Sequence, residues 1–441
     1  MGPRTIDAPP GLAPFAAGRY RWLICALLFL ATTINYIDRQ ILALLKPVLD
    51  DKLHWTNEQF GQVNAAFQSA YAVGLLGFGA FIDRFGSRIG YAVSITVWSA
   101  AAVAHAAVGS IGGFALVRVA LGLGEGGNFP ASISAVALWF PKGERALATT
   151  LFNSGANVGA IIAPAIVPII ALRWGWQAPF VAMGIAGLAW LFLWLPLYGD
   201  PEKLTRVSGT EIAYITEGRD TEPMYAKVTW RSILRYRQAW SFIVAKLLTD
   251  PVWWFFLIWL PAYFKSTRHL DLKNSWIHLV SIYSIVTVLS VAGGWLTGWL
   301  GRSGLGISRA RKLAMLLCAC CVTPIFFVTR ASPWGAVMLI GVAGAAHQAW
   351  SANLFTSVSD MFPRSAVASV VGVGGMAGSL GGMIFPIFAG RLLDRFQATG
   401  NITAGYTVLF GICGTAYLAA FALNHLLAPR FNPIDLPSAF G

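Results

Sequence analysis

Arg118 and Glu125 stand seven residues apart in Phe114 to Ala131, FALVRVALGLGEGGNFPA, a stretch otherwise apolar enough to lie inside a membrane. That interval is about two helical turns, so both side chains project from one face, with Gly122 between them. An ionised residue at mid-bilayer costs roughly 3 kcal/mol, so such residues face a bundle interior or a wet cavity and mark a path for substrate or protons. The arginine offers a planar fork for a carboxylate. The glutamate offers a carboxyl whose charge depends on which side water reaches and on whether the fork is occupied.

Other polar residues in apolar surroundings extend this chemistry. Asn35-Tyr36-Ile37-Asp38-Arg39 places an acid and a base side by side. Helical neighbours point about 100° apart, so one of Asp38 and Arg39 faces substrate and the other a packing face or proton path, unless both form structural ion pairs. Asn64, Gln68 and Tyr71 follow at i, i+4, i+7, a polar stripe in which Tyr71 can both stack on a sugar and hydrogen-bond. Asn153 and Asn157 repeat the spacing beside Gly155 and Gly159, so close helix packing competes with substrate contact there. Lys246 and Asp250 stand at i, i+4 before Pro251. Lys246 reads either as a cavity residue or as one that snorkels to the inner surface. His347, Gln348, Trp350 and Asn353 make their segment polar on too many sides for lipid, with packing the alternative role for His347.

These groups need elements to hold them. With 56% hydrophobic and 12% charged residues and a mean hydropathy of +0.62, the chain is too apolar for a soluble globule and reads as a polytopic membrane protein. The net charge of +13 comes from bases at the ends of apolar segments, without a basic run interleaved with aromatics, so a nucleic-acid partner is not expected. Stretches of about twenty apolar residues number twelve. Lysine and arginine concentrate on the side of the N-terminus, which predicts both termini in the cytoplasm of a cell inner (plasma) membrane. The cysteines lie in apolar segments as small hydrophobes, and no metal site is expected.

The expected organisation is a polar tail over 1–19, without a cleaved signal peptide, and a six-helix bundle over 20–198. A cytoplasmic linker follows over 199–238, then a second six-helix bundle over 239–428 and a tail over 429–441. In the linker, Ser208-Gly209-Thr210-Glu211 has the form of a capping box for a short surface helix on a solvated connector. Shifting the chain by 222 residues superposes Gly122 on Gly344, Phe140-Pro141 on Phe362-Pro363, Gly159 on Gly381 and Pro164 on Pro386. It also places Glu125 on His347, a titratable group in each half. Parallel six-helix repeats holding substrate between them are one established transporter plan.

Gly79-Ala80-Phe81-Ile82-Asp83-Arg84-Phe85-Gly86-Ser87-Arg88, between the second and third stretches, resembles the loop signature of the major facilitator superfamily. That resemblance implies an all-α fold of twelve transmembrane helices, with a pseudo-two-fold axis along the membrane normal and Gly79, Asp83, Arg84, Gly86 and Arg88 in a conformational gate. Over residues 20 to 430 the chain resembles the anion:cation symporter family. Asn35 to Arg39, Gly124 to Ala131, Trp139-Phe140-Pro141 and Ala346 through Asp360 are similar to hexuronate transporters.

What this implies is no enzyme but a monomeric, proton-coupled carrier of a small organic anion in the lipid bilayer, with no cofactor beyond the proton. Tyr36, Arg39, Tyr71 and Trp350 would contact substrate. Asp38 and Glu125 would exchange protons under the control of Arg118, with Glu125 facing Arg118. Ala156 and Gly375 replace a glutamine and an asparagine of related galactonate transporters, so Asn157 or Asn353 would supply those contacts. Two other readings stay open: a proton/drug antiporter on the same scaffold and, more remotely, a multispan membrane enzyme using His347.

Overall fold

A peptide group in hydrocarbon has no water to bond, so each apolar stretch must satisfy its backbone internally, and each becomes a helix. A computed structural model of the chain describes residues 19–216, 230–302, 306–362 and 364–434. The two tails and the middle of the linker therefore lie largely outside the described residues. The first bundle comprises α1 (Tyr20–Leu53), α2 (Asn57–Ala104), α3 (Ile111–Glu125), α4 (Asn128–Trp139), α5 (Lys142–Trp174) and α6 (Ala178–Leu197). Two short helices, α7 (Gly209–Thr216) and α8 (Trp230–Ile233), lie in the linker. The second bundle comprises α9 (Arg237–Arg268), α10 (Leu272–Arg302), α11 (Ile307–Val322), α12 (Pro333–Met361), α13 (Arg364–Ala398) and α14 (Ile402–Leu427).

Twelve membrane-length stretches are present, although their boundaries differ from a count of separate rods. The second and third stretches run together as α2, interrupted only at Gly86, whose φ of 80° and ψ of 161° belong to a region that glycine enters without strain. The turn therefore needs one non-helical residue rather than a polar loop. The fourth stretch is divided into α3 and α4 at Gly126-Gly127. Among the described residues nine helices are long and apolar enough to cross a membrane on their own; α12, which carries His347, Gln348 and Asn353, falls outside that set.

The halves meet where α2 packs on α13, α5 on α10 and α1 on α9. The 222-residue shift carries α5 onto α13 and the first part of α2 onto α10. The first two contacts therefore exchange under the repeat, as a two-fold axis between the bundles requires.

The linker differs from a solvated connector. Glu211 N bonds Ser208 Oγ at 3.2 Å, but the Glu211 carboxylate turns away from the expected box and accepts from the Arg21 backbone N–H at 3.0 Å and the Tyr20 N–H at 3.2 Å. It caps α1, whose preceding residue supplies no side-chain cap. Arg21 also reaches Glu144 at the start of α5 at 2.9 Å. Thus α7 is docked against the ends of α1 and α5, and Glu211 is buried.

Candidate substrate and proton site

Three helices converge on Arg39. At Gly122 a Cβ would lie 2.5 Å from the Phe67 carbonyl, so α3 presses its backbone against α2 and brings Arg118 and Glu125 close to the Gln68 and Tyr71 face. On the other side α5 packs on α1 through Gly155 and Gly159, where a Cβ would stand 2.5 Å from Phe29 O and 2.7 Å from Thr33 O. Asn157, between those glycines, is half-buried.

The charge pairing differs from the expected one. Glu125 Oε2 accepts from Arg39 Nε at 2.6 Å, across α3 and α1, instead of pairing with Arg118. The physical reason is reach: Arg118 and Glu125 share a face two turns apart, whereas the α1 fork enters that face from the side. Arg118 lies within electrostatic range of both Asp38 and Glu125, yet its Nε and one terminal nitrogen lack a hydrogen-bond partner. Both Asp38 carboxylate oxygens, Glu125 Oε1, Gln68 Oε1 and the Asn35 amide are buried without partners as well. Buried polar groups are nearly always bonded, so this concentration of unused capacity in one place is exceptional.

Aromatic rings surround the fork. Arg39 Cζ is 4.4 Å from the Tyr71 ring centre, 5.0 Å from Tyr36, 5.6 Å from Phe67 and 5.9 Å from Trp254 of the other half. A small cavity of about 20 Å³ between Arg39, Gln68, Arg118 and Trp254 has room for about one water-sized group.

In the second half the charged and titratable site residues are bonded, while the Trp350 Nε1–H is buried without a partner. Lys246 Nζ bonds Asp250 Oδ2 at 2.6 Å and lies 4.6 Å from the Phe355 ring, buried rather than snorkelling. His347 shares a 2.5 Å hydrogen bond with the Tyr417 hydroxyl and stacks on Trp253 at 5.2 Å and 4°. Trp350 is fully buried and meets the edge of Tyr417. Asn353 accepts from Thr297 at 2.9 Å and donates to Ala349 O at 2.9 Å. In this conformation His347, Trp350 and Asn353 belong to bundle packing, while Gln348 is half-buried.

Access differs at the two ends. At the end remote from the termini, Asp394 on α13 accepts from the backbone N–H groups of Asn57 at 2.9 Å and Glu58 at 2.8 Å, capping α2 from the opposite half. Arg391 pairs with Glu58 at 2.7 Å, and Lys265 donates to Pro47 O at 2.6 Å. Below them Phe60 meets Trp259 edge-on at 5.3 Å. Sequence reasoning missed this closure, since charges at helix ends look like ordinary membrane flanks; the acid-base spacing of Arg391 and Asp394 near the end of α13 was the available signal. At the terminal face, Asp83, Arg84, Gly86 and Arg88 are exposed and Gly79 is half-buried, and Arg88 bonds within its own half to Leu195 O at 2.6 Å.

Residues 28–386 match the family described as the Major Facilitator Superfamily. The chain belongs to the major facilitator superfamily. Among its superfamily relatives, the hexuronate transporter of Escherichia coli (strain K12) is 31% identical over 402 residues, which cover 89% of this chain and 90% of that one. The galacturonate transporter of Dickeya chrysanthemi is 30% identical over 258 residues, 58% of this chain and 74% of that one. The fold is similar to the inward-facing, occupied structure of a bacterial homologue of the human lysosomal transporter Spinster, with a TM-score of 0.71, 16% identity and coverage of 96% and 97%. Membership makes the chain a multi-pass membrane protein of a transporter family.

Proposed function

We propose that the protein is a proton-coupled symporter of a sugar acid, a hexuronate such as galacturonate or glucuronate, working by alternating access as a monomer in the inner (plasma) membrane. Both termini lie in the cytoplasm in this reading, so the closed Asn57 end is the outer one and the chain faces inward. The similarity to a hexuronate transporter along nearly all of both chains supports the substrate class. The observation that carries the coupling is the Arg39–Glu125 bond beside unpaired Asp38 and Arg118.

Glu125 occupies one edge of the Arg39 fork. A hexuronate carboxylate needs that fork for a bidentate bond, and taking it displaces Glu125. A displaced carboxylate in a dry site is too costly to stay charged, so Glu125 binds a proton as substrate binds. Arg118 balances Asp38 meanwhile, and Asp38 provides a second exchangeable site. The aromatic walls of Tyr36 and Tyr71 suit the apolar faces of a sugar ring, while Gln68, Asn157 and Gln348 suit its hydroxyls. With the charges neutralised in pairs, the halves rock about the α2–α13 and α5–α10 contacts. The Asp394 cap then opens and the Asp83 turn closes.

The test is uptake of radiolabelled galacturonate and glucuronate into proteoliposomes under an inside-alkaline gradient, with and without an uncoupler. Accumulation abolished by the uncoupler is expected, and Glu125→Gln should lose accumulation while retaining exchange of substrate across the membrane. No uptake of either acid would overturn the substrate assignment. Accumulation by Glu125→Gln under the gradient would overturn the coupling assignment.

A further inference from the structure

On the terminal face, away from the seam between halves, α11 and α14 part to form a cavity of about 580 Å³ lined by Ile307, Ser308, Arg309, Lys312, His425 and Arg430. Two arginines, a lysine and a histidine line it, and no carboxylate does so among the described residues. A smaller cavity on the far side of Arg430 adds Arg237. Positive flanks are ordinary on a cytoplasmic face, but this group lines an open recess between two helices instead of a flat surface.

The polar atoms in the cavity divide into two kinds. Lys312 is held from behind: its Nζ donates to Asn424 Oδ1 at 2.6 Å and lies 4.2 Å from the Phe431 ring. The chain after α14 is also fixed, with Phe431 N bonding Ser308 Oγ at 2.9 Å and Ile434 N bonding Met361 O at 2.8 Å. Arg309 and Arg430, in contrast, are exposed and form no ion pair among the described residues. The walls are built, and the forks are left over.

The rim distinguishes between anions. Ile307, in the cavity wall, is 69% exposed, and Leu426, next to the lining His425, is 70% exposed, with Leu423 one turn further along the same face of α14. An ion from bulk water has no use for such a rim, whereas acyl chains do. We propose that the cavity binds the phosphodiester headgroup of an anionic glycerophospholipid of the inner leaflet, with Arg309 and Arg430 on the phosphate and the acyl chains over Ile307 and Leu426. Arginine forks match phosphate oxygens in pairs, and basic recesses between helices on this side suit anionic headgroups. The shared chemistry is a phosphate monoanion, and the apolar rim selects the lipid as its source. The inference rests on the terminal face being cytoplasmic, and on none of the substrate chemistry.

The experiment is native mass spectrometry of the full chain in detergent, titrated with dioleoylphosphatidylglycerol, with inorganic phosphate as competitor. For Arg309→Gln/Arg430→Gln, apparent lipid affinity should fall roughly thirtyfold, from about fivefold for each base near an anionic surface. Lys203→Gln/Arg206→Gln, which removes the same charge elsewhere on that face, should leave the affinity unchanged, and inorganic phosphate should not displace the lipid. Equal loss in both double variants would overturn the proposal in favour of a diffuse field. Unchanged affinity in the Arg309/Arg430 variant, or ready displacement by phosphate, would overturn it as well. Unaltered thermal unfolding in lipid-free detergent controls for folding. Because the readout is lipid binding, its failure leaves hexuronate uptake untouched, and failed uptake leaves this result standing.

Discussion

Glu125 and His347 occupy matching positions in the two bundles and meet opposite fates. Glu125 ends α3, where the helix breaks at Gly126-Gly127, and bonds a base on another helix while one of its own oxygens stays unpartnered. His347 lies within an unbroken α12, stacked on Trp253 and bonded to a Tyr417 whose hydroxyl also reaches Thr249 O at 3.3 Å. The buried carboxylates, guanidinium and amides around Glu125 keep unused bonding capacity, whereas the Lys246–Asp250 and His347–Tyr417 pairs of the second half are bonded and the indole N–H of Trp350 is left over there. Unused bonding capacity inside a bundle destabilises it unless something else uses that capacity. Under the proposed function, the proton exchange therefore falls to the first half, and the second half contributes packing and a wall of the substrate site.

The severest way to break this comparison is to remove its centre. Arg39→Ala leaves Glu125 and Asp38 buried with only Arg118 between them. Truncating one partner of a buried charge pair costs about 2–5 kcal/mol, so uptake at subsaturating hexuronate should fall roughly 30-fold or more. Arg39→Lys should recover only part of this, because an ammonium restores the charge without the fork. Initial rates in proteoliposomes measure both. If the lysine variant transports like the parent, bidentate recognition at Arg39 is wrong, and the substrate carboxylate must bind elsewhere.

A middle-sized effect is expected from the second half's own ion pair. Lys246→Gln removes the positive charge from a mostly buried pair, but Asp250 keeps 17% of its side chain exposed and the glutamine amide can still donate to it, so the loss is smaller than at Arg39. About a tenfold rise in KM, with the maximal rate retained, is the expected result, since exchanging a charge-assisted hydrogen bond for a neutral one loses about 1.4 kcal/mol. A variant with normal KM and lost gradient dependence would instead place proton coupling in the second half and reverse the comparison.

Much of this arrangement was legible in residue types. Twelve apolar stretches, the 222-residue repeat and the charged positions in α1, α3 and α9 are composition and spacing, and a membrane makes each of them expensive enough to be visible. Which charge pairs with which was not legible. Two residues on one helix face advertise their proximity, as Arg118 and Glu125 do, while the bond that forms runs from Arg39 on a helix 86 residues earlier. The cross-half cap by Asp394 was hidden for a similar reason: it depends on which helix ends meet, a tertiary fact carried by no local pattern. His347 misled in the opposite direction, because a lone titratable residue carries the same sequence signal whether its partners use it up or leave it free.

That last ambiguity gives the gentlest test. His347→Phe keeps a ring to stack on Trp253 and removes the hydrogen bond to Tyr417, whose hydroxyl retains Thr249 O as a partner. A neutral hydrogen bond contributes about 1 kcal/mol net, so thermal unfolding in detergent should shift down by only a few degrees. Hexuronate uptake and its dependence on the imposed pH gradient should stay within about twofold of the parent, because neither the Arg39–Glu125 bond nor the unpaired groups beside it have been touched. A loss of gradient-driven accumulation with intact exchange would give His347 the coupling role its repeat position suggests. The conformation with His347 bonded to Tyr417 would then be one in which that role is at rest.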